Sequence, residues 1–484
     1  MLLKNEYFHR ISHSVGAETL GQFLNVVMRI VLVPLFISAW GAQAYGEWLI
    51  LTAVVAWFSL GDFGGQLYYV NRLTEEWAKK NNKGFQEVFS TGLSIFLISA
   101  ALIFLSSVIG IYFLPISDWL QLKTINEWEL SVIILLMMFR FLIALPVGLL
   151  QGVYRAIGFQ GTSVMYSNMM LLIQFIASAY ALTQGASMIW LAFIEVAPFL
   201  LILLAIPWDL KRRMPKDFMI TNFRSGSYVV FRDSVSPSMH FLALQLSMGM
   251  MIQGVILVIA NVLGPIEVAI FSSMRIIANV MSRFMGMIAN AAWPEVTKLA
   301  TADASSKLSE LFKIVQGLII YFGACYLFLI TNYGLELFEW WIGGNLTFDF
   351  WVMYFLVCQV LLGALVTWGS NILMATNNHE EFVRWQFVIN LFTLAATYIG
   401  CTKFGMIGGV ILLIATQFIP QAILVYKMQI KNDFHQIAKN FQVNLFLAVI
   451  MLPVFLNIWT AIIIILLLTI YLAMQIKITM RMLS

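Results

Sequence analysis

The 484-residue chain is 61% hydrophobic and 11% charged, with a mean hydropathy of +0.87. A soluble domain carries about a quarter of its residues as charges, so the composition excludes a soluble protein and predicts one that lies almost wholly in a membrane. The net charge of +4 comes from basic residues spread over short loops rather than one patch, which argues against a nucleic-acid partner.

Apolar runs of about 18–25 residues recur along the chain, and a helix of that length crosses a hydrocarbon core of about 30 Å. Helices are predicted because a spanning segment must satisfy its own backbone hydrogen bonds, and the ten-residue alternation of a membrane barrel is not seen. The sequence therefore predicts an all-α polytopic membrane protein of about 14 transmembrane helices, with twelve as the alternative if one pair is misassigned. The predicted spans lie near residues 15–38, 46–69, 88–114, 129–150, 162–183, 188–208, 236–260, 266–292, 313–334, 351–374, 385–402, 406–426, 442–457 and 459–476.

The distribution of basic residues predicts the topology. With the N-terminus in the cytoplasm, all but six of the 28 lysines and arginines lie on the cytoplasmic side. Lys123 and Lys403 lie outside, and four arginines fall within spans. This asymmetry predicts an even number of spans with both termini in the cytoplasm. No cleavable signal peptide is evident, since no small-residue cleavage site follows the first apolar segment.

A faint internal repeat divides the chain. The turns at residues 40–46 and 263–269 are 223 positions apart, and a second pair at 150–156 and 372–378 has a similar offset. The repeat predicts an N-terminal six-helix bundle at 1–225, a C-terminal six-helix bundle at 226–432, and additional helices 13 and 14 in 433–484. Parallel repeats are typical of transporters, whose sites lie where the repeats meet.

The intramembrane arginines are the strongest functional signal, because each costs about 2.5–3.5 kcal/mol on insertion scales. In the eighth span Arg275, Asn279 and Arg283 share one helical face, and the opposite face is apolar. In the first span Asn25 and Arg29 share a face in the same way. Both stripes predict the lining of a hydrated, substrate-binding cavity, with an ion pair to a neighbouring helix as the structural alternative. The other members of the two stripes are Ser272, Ser282, Gly286 and Asn290 in the eighth span and Glu18 and Gln22 in the first.

The remaining charged residues at membrane depth leave several roles open. Arg140, in the fourth span, has no polar stripe around it, so a substrate contact and a buried ion pair are both consistent with it. Asp62, in the glycine-rich segment 60–65, could counter an arginine, cap a broken helix or carry a coupling proton. Glu195, shortly before Pro198, is a candidate for proton or cation coupling, with ion pairing as the alternative.

Several chemical signatures are missing from the sequence. It contains no phosphate-binding Gly-x-x-x-x-Gly-Lys-[Ser/Thr] loop and no Cys/His cluster with metal-ligand spacing. Its three cysteines fall within apolar spans, so a disulfide framework is not expected. The sequence therefore predicts a protein that is not an enzyme and holds no cofactor. Coupling to H⁺ or Na⁺ remains open.

Four short segments carry a family resemblance: Trp40-Gly41-Ala42-Gln43-Ala44-Tyr45-Gly46, Leu60-Gly61-Asp62-Phe63-Gly64, Ala292-Trp293-Pro294-Glu295 and Asn371-Ile372-Leu373-Met374-Ala375-Thr376-Asn377. With them, the chain resembles the polysaccharide transporters of the multidrug/oligosaccharidyl-lipid/polysaccharide exporter superfamily, most closely the Wzx-type O-antigen flippases. The resemblance implies two six-helix bundles in a V, two further helices at the side, and alternating access.

The resemblance also implies a cargo and a location. The cargo would be an oligosaccharide repeat unit on undecaprenyl diphosphate, moved from the cytoplasmic to the outer leaflet of a bacterial inner membrane. Partners would be this lipid-linked oligosaccharide and membrane lipids, with a polysaccharide polymerase and chain-length proteins as further candidates. The residues agree with this cargo, because the planar fork of an arginine matches phosphate oxygens.

Three other functions agree less well with the sequence. A cation-coupled drug or small-molecule antiporter of the same superfamily would carry an acidic cavity, whereas four arginines against two deep acids favour an anionic cargo. A membrane glycan polymerase would need a sizeable outside loop with catalytic residues, and none is visible. A purely structural scaffold fits poorly with buried arginines.

Overall fold

The computed structural model describes residues 2–58, 62–215, 226–301, 305–376, 380–451, 460–470 and 472, with side chains from residue 12 onward except at a few positions. Within these ranges the chain is α-helical and contains no strand. Ten of the described helices are long and apolar enough to cross a membrane. The predicted fold class, an all-α polytopic membrane protein, is therefore confirmed.

The chain forms two compact units, residues 1–261 and 262–484. The helices of the first unit are α1 Leu2–Phe58, α2 Gly65–Ala78, α3 Asn82–Phe113, α4 Ile116–Trp119, α5 Glu127–Ala156, α6 Gln160–Thr183, α7 Met188–Arg213 and α8 Tyr228–Gly249, which continues through a π-helical turn, Met250–Gly254, into α9 Val255–Leu263. The helices of the second unit are α10 Pro265–Thr301, α11 Ser305–Ile342, α12 Phe350–Ala375, α13 Glu380–Lys431, α14 His435–Met451 and α15 Thr460–Ile470.

Two of these helices are too long for one crossing. The 57 residues of α1 would extend about 86 Å as one straight helix, nearly three times the hydrocarbon thickness. The helix is broken at Gly41 (φ 78°, ψ 170°), and α13, with 52 residues, is broken at Gly405 (φ 67°, ψ −160°). Only glycine adopts this backbone conformation readily. Each of these two helices is thus a pair of spans, so the ten long apolar helices of the described residues correspond to twelve spans, with α14 and the shorter α15 after them.

The predicted second span is interrupted. The helix is described up to Phe58, α2 begins at Gly65, and Phe63 (φ 48°) and Gly64 (φ 71°) before it are left-handed. Gly64 fits there because a Cβ would collide with the backbone of α8 near Ser238. Residues 60 and 61 of the predicted glycine-rich segment lie outside the described residues, as does Asn377 of the tenth-span motif. The predicted thirteenth and fourteenth spans likewise extend beyond what is described.

The internal repeat reappears in the backbone. Gly41 and Gly264 are 223 positions apart, and both have positive φ at the turn between consecutive spans. Gly185 and Gly405 repeat this relation with an offset of 220. A glycine with positive φ therefore occurs between consecutive spans at corresponding positions of the repeat.

The seventh span, α8, packs within the first unit. The hydroxyl of Tyr69 donates to Ser234 Oγ at 3.0 Å, and the backbone N–H of Ser227 donates to Thr91 Oγ1 at 2.9 Å. The compact units accordingly divide at residue 261, after this helix. The division of the chain into bundles at 225 and 432 concerns helix count and orientation, and it stays a prediction.

Aromatic side chains fill the core of the first unit, where Tyr69, Phe89, Phe96 and Tyr154 are almost fully buried. A polar contact fixes the loop between α4 and α5. Glu47, fully buried, accepts hydrogen bonds from the backbone N–H of Lys123 at 2.8 Å and from Thr124 Oγ1 at 2.5 Å. A buried carboxylate with these donors ties the segment between α4 and α5 to the second span.

The second unit has its own core, in which the Trp368 ring stacks on Phe312 with centroids 4.7 Å apart. Side-chain amides attach α14 to α11. Asn444 Nδ2 donates to Gln316 Oε1 at 2.7 Å, and Asn440 Nδ2 donates to Ser309 Oγ at 3.0 Å. Such interhelical hydrogen bonds contribute about 0.6–2 kcal/mol each in a membrane, so α14 is a packed part of this unit.

Candidate substrate-binding residues

The polar stripe of the predicted eighth span lies on one continuous helix, α10. Arg275, Asn279 and Arg283 are four residues apart in turn, which places them on one face, with the two arginines about 12 Å apart along the axis. All three side chains are half-buried. The guanidinium carbon of Arg275 is 5.8 Å from the ring centroid of Phe271 on the same helix.

The rest of that stripe is only partly accessible. Ser272 is 8% exposed, while Ser282 is exposed. The side chain of Asn290 lies outside the described residues. On the predicted apolar face, Met281 is buried in the core of the second unit, whereas Phe284 and Met287 are exposed, as lipid-facing side chains are. The three polar residues thus share one face of a continuous helix, whereas the predicted apolar face is partly buried in the core and partly exposed.

The polar residues of the first span lie on α1, ahead of its break at Gly41. Arg29 is exposed and lies near the phenol of Tyr45, which is buried. Asn25 is half-buried, and its Nδ2 donates to the carbonyl of Gly21 at 2.9 Å. Glu18 and Gln22 are exposed. The helix thus presents Arg29 on an accessible face.

Arg140 and Glu195 form an ion pair. Arg140 Nη1 on α5 is 3.0 Å from Glu195 Oε2 on α7, and the side chains are 32% and 16% exposed. The guanidinium also lies 5.1 Å from the ring centroid of Phe199. The sequence left two roles open for each residue, and this geometry matches the ion pair. In such a pair each charge compensates the other in a region of low dielectric.

Asp62 occupies the interruption of the second span. It is 4% exposed, and its Oδ1 accepts a hydrogen bond from the backbone N–H of Gly64 at 3.0 Å. The N–H of Gln66 and the side chain of Gln245 also donate to this carboxylate. These donors are those of a carboxylate that caps a resumed helix, one of the three roles considered.

Sequence reasoning missed a polar cavity next to Asp62. It has a volume of about 340 Å³ and lies within the first unit, among α2, α5, α6 and α8. Its polar wall consists chiefly of Asp62, Gln66, Gln151, Arg155, Gln160 and Gln245. Glutamines in apolar helices were the available signal. These glutamines form no pattern in the sequence, because they lie on four different elements that only the fold brings together.

The described residues contain no cluster of three or more His, Cys, Asp and Glu side chains that could hold a metal ion. The cysteines Cys325, Cys358 and Cys401 are free thiols.

The fold is similar to that of several solved membrane transporters. An inward-facing multidrug resistance MATE family transporter of the MOP superfamily aligns with a TM-score of 0.64 and 14% identity, over 85% of this chain and 95% of that one. An outward-facing MATE structure aligns with a TM-score of 0.60 and 14% identity, over 87% and 95%.

A lipid flippase has the same fold. The lipid II flippase MurJ, in an inward closed conformation, aligns with a TM-score of 0.67 and 13% identity, over 96% of this chain and 99% of that one. No protein-family model matches the chain, and no curated protein matches it by sequence. At these identities the likeness establishes the fold, and the cargo has to be argued from the residues.

Proposed function

We propose that this protein is a flippase for a lipid-linked oligosaccharide. It moves an undecaprenyl-diphosphate-linked repeat unit of a surface polysaccharide, such as O-antigen, from the inner to the outer leaflet of a bacterial cytoplasmic membrane. It works by alternating access with a cationic interior, and both termini lie in the cytoplasm. The protein acts without catalytic residues or a cofactor.

The fold is consistent with a transporter. The share of both chains that aligns with the MurJ flippase favours a flippase. The likeness to MurJ covers almost all of both chains, including the C-terminal helices beyond the twelve spans of the repeat. A carrier for a lipid-linked headgroup must hold a polar group at membrane depth while the acyl chain stays in lipid. Helices with polar faces on apolar backs, such as α10, provide that arrangement.

The arginine face of α10 is the observation that carries the proposal. Arg275 and Arg283 place two permanent cations about 12 Å apart on one helix, with the amide of Asn279 between them. A diphosphate is the natural ligand for guanidinium forks, since it supplies planar arrays of acceptor oxygens and negative charge. Arg29 adds an accessible cation on α1.

A cation-coupled antiporter of drugs or other small molecules is the second candidate, and the MATE structures favour it. Coupling would require a carboxylate that is available to a proton or a cation. Both acids that the sequence identified as coupling candidates are engaged, Glu195 with Arg140 at 3.0 Å and Asp62 with three donors. Engaged acids together with a cationic helix face support the anionic cargo.

Arginine variants test the proposal in cells that lack the native protein. We expect Arg275→Ala and Arg29→Ala to abolish surface polysaccharide, because each removes a charge that would bind the diphosphate. Arg→Lys at the same positions should retain part of the export, since the charge stays and only the fork is lost. Surface polysaccharide is measured on gels, and protein level is measured by immunoblot.

Arg232→Ala is the matched control, because this arginine is 69% exposed and paired with Asp233 at the start of α8. It should export normally. Normal export by both the Arg275→Ala and Arg29→Ala variants would rule out the cationic mechanism.

A further inference from the structure

The polar cavity of the first unit, here called the glutamine cavity, is built from four elements. Gln66 comes from α2, Gln151 from α5, Gln160 from α6 and Gln245 from α8, and Asp62 and Arg155 complete the polar wall. A volume of about 340 Å³ lies within the range of small-molecule sites. Carboxamides on four separate helices would be costly in an apolar environment unless they met a polar ligand or one another.

Two glycines of α5 shape the cavity. A Cβ on Gly148 would collide with the carboxamide of Gln66, and a Cβ on Gly152 would collide with Val70. Since α5 carries no side chain at these positions, α2 approaches its backbone closely. The carboxamide of Gln66 is thereby held against the wall of the cavity.

The polar groups of the cavity are partly pre-arranged. Gln151 Nε2 donates to Ser167 Oγ at 2.9 Å, and the side chain of Gln245 donates to Asp62. The Oε1 atom of Gln245, however, is buried and has no hydrogen-bond partner among the described residues. An unpaired buried acceptor is unfavourable, so this atom is placed to accept a hydrogen bond from a bound donor.

The combination of groups selects a class of ligand. Carboxamides and hydroxyls donate and accept, as the hydroxyls of a sugar do. A metal cation would need acceptors only and would be repelled by Arg155 in the same wall. A phosphate would meet Arg155 but also the carboxylate of Asp62. A neutral, hydroxyl-rich ring satisfies every group in the wall.

We propose that the glutamine cavity binds a neutral sugar residue of the cargo and so contributes to the choice of oligosaccharide. This assignment rests on the proposed function. It adds a recognition site in the first unit that is distinct from the arginine face of α10. According to this proposal, different side chains recognise the lipid diphosphate and the sugar.

Binding to two lipids separates the roles. One probe is synthetic undecaprenyl diphosphate, and the other is the lipid-linked oligosaccharide pool extracted from cells that lack the protein. Affinities of the purified full-length protein in detergent are measured by native mass spectrometry. The wild type should bind the sugar-bearing lipid at least about tenfold more tightly than the bare lipid, as expected for several added hydrogen bonds.

The variants Gln245→Leu and Gln151→Leu should each weaken binding of the sugar-bearing lipid about three- to tenfold and leave the bare lipid within about twofold. Gly148→Ala, which displaces Gln66, should act in the same direction. Gln174→Leu is the matched control, a half-buried glutamine of α6 outside the cavity wall. It should change neither affinity. Thermal unfolding of each variant shows whether it is folded.

Equal affinity of the wild type for both lipids would overturn the sugar site and leave the flippase function standing. Equal weakening of both lipids by folded Gln245→Leu would also overturn it, because the cavity would then hold the diphosphate. If the wild type binds neither lipid, the proposed function itself fails, and the sugar site fails with it.

Discussion

The charged residues at membrane depth have two different kinds of surroundings. Arg140 and Glu195 are 55 positions apart in the sequence, yet their charged atoms lie 3.0 Å apart. Arg275 and Arg283 instead share a helix face with polar neighbours. The pair on α5 and α7 has the geometry of a structural contact, so the cationic mechanism depends mainly on α10 and α1.

Replacing Arg140 tests this distinction. Arg140→Met should lower the free energy of unfolding by about 1–3 kcal/mol, because Glu195 loses its partner in a poorly solvated site. The double variant Arg140→Met, Glu195→Gln should recover most of that stability and should export polysaccharide. Thermal unfolding in detergent and surface polysaccharide are measured together. A double variant that is stable but does not export polysaccharide would indicate that Arg140 contacts the substrate.

Helical periodicity in the sequence could predict that the arginines of α10 share a face. It could not predict that Arg140 pairs with Glu195. A face is a property of one helix, so the positions 275, 279 and 283 follow from the helical repeat alone. An ion pair between α5 and α7 depends on which helices are neighbours, and no local pattern encodes that. The glutamine cavity escaped prediction for the same reason, since its wall combines α2, α5, α6 and α8.

At the scale of elements, glycines set where spans end. The breaks at Gly41 and Gly405 have φ of 78° and 67° with ψ near ±165°. The sequence predicted span ends near both positions from hydropathy, with a seven-residue turn at residues 40–46 for the first. The structure needs no loop there, because a single glycine conformation reverses the chain and leaves both flanking helices intact.

Alanine at these glycines should therefore be harmful for backbone reasons alone. A Cβ at Gly41 or Gly405 would meet no atom within 4 Å, so any loss reflects the conformation. We expect Gly41→Ala and Gly405→Ala each to lower stability by about 1–3 kcal/mol, measured by thermal unfolding. Gly16→Ala is the control, since Gly16 is helical with equally open space, and it should be neutral or slightly stabilising. Wild-type stability of Gly41→Ala would contradict the strain argument.

At the scale of the whole molecule, hydropathy and charge were sufficient for the class of fold. Repeated apolar runs in a membrane are expected to be helices, and the described part of the structure is helical, with ten helices long and apolar enough to cross a membrane. The internal repeat gives only a faint sequence similarity. In the structure, glycines with positive φ lie at turns separated by 223 and 220 positions. Hydropathy alone predicted one continuous span across Asp62, because its surroundings are apolar, and a broken helix was one of three roles that the glycine-rich segment left open for this residue.

The distribution of lysines makes the topology testable. In a variant with Cys325, Cys358 and Cys401 replaced by alanine, Lys123→Cys should react with a membrane-impermeant maleimide in intact cells. Lys83→Cys should react only after the membrane is permeabilised. Both side chains are exposed, so accessibility within the fold is matched. Labelling of Lys83→Cys in intact cells would reverse the predicted orientation.

The most direct test of the central claim is the leaflet in which the lipid-linked oligosaccharide accumulates. Spheroplasts from cells with and without the protein are treated with a membrane-impermeant sugar oxidant, and the oxidised fraction of the lipid-linked pool is measured. A flippase predicts that, without the protein, the pool grows and is protected from the oxidant, and that restoring the protein exposes it. A pool that is equally accessible with and without the protein would contradict the assignment.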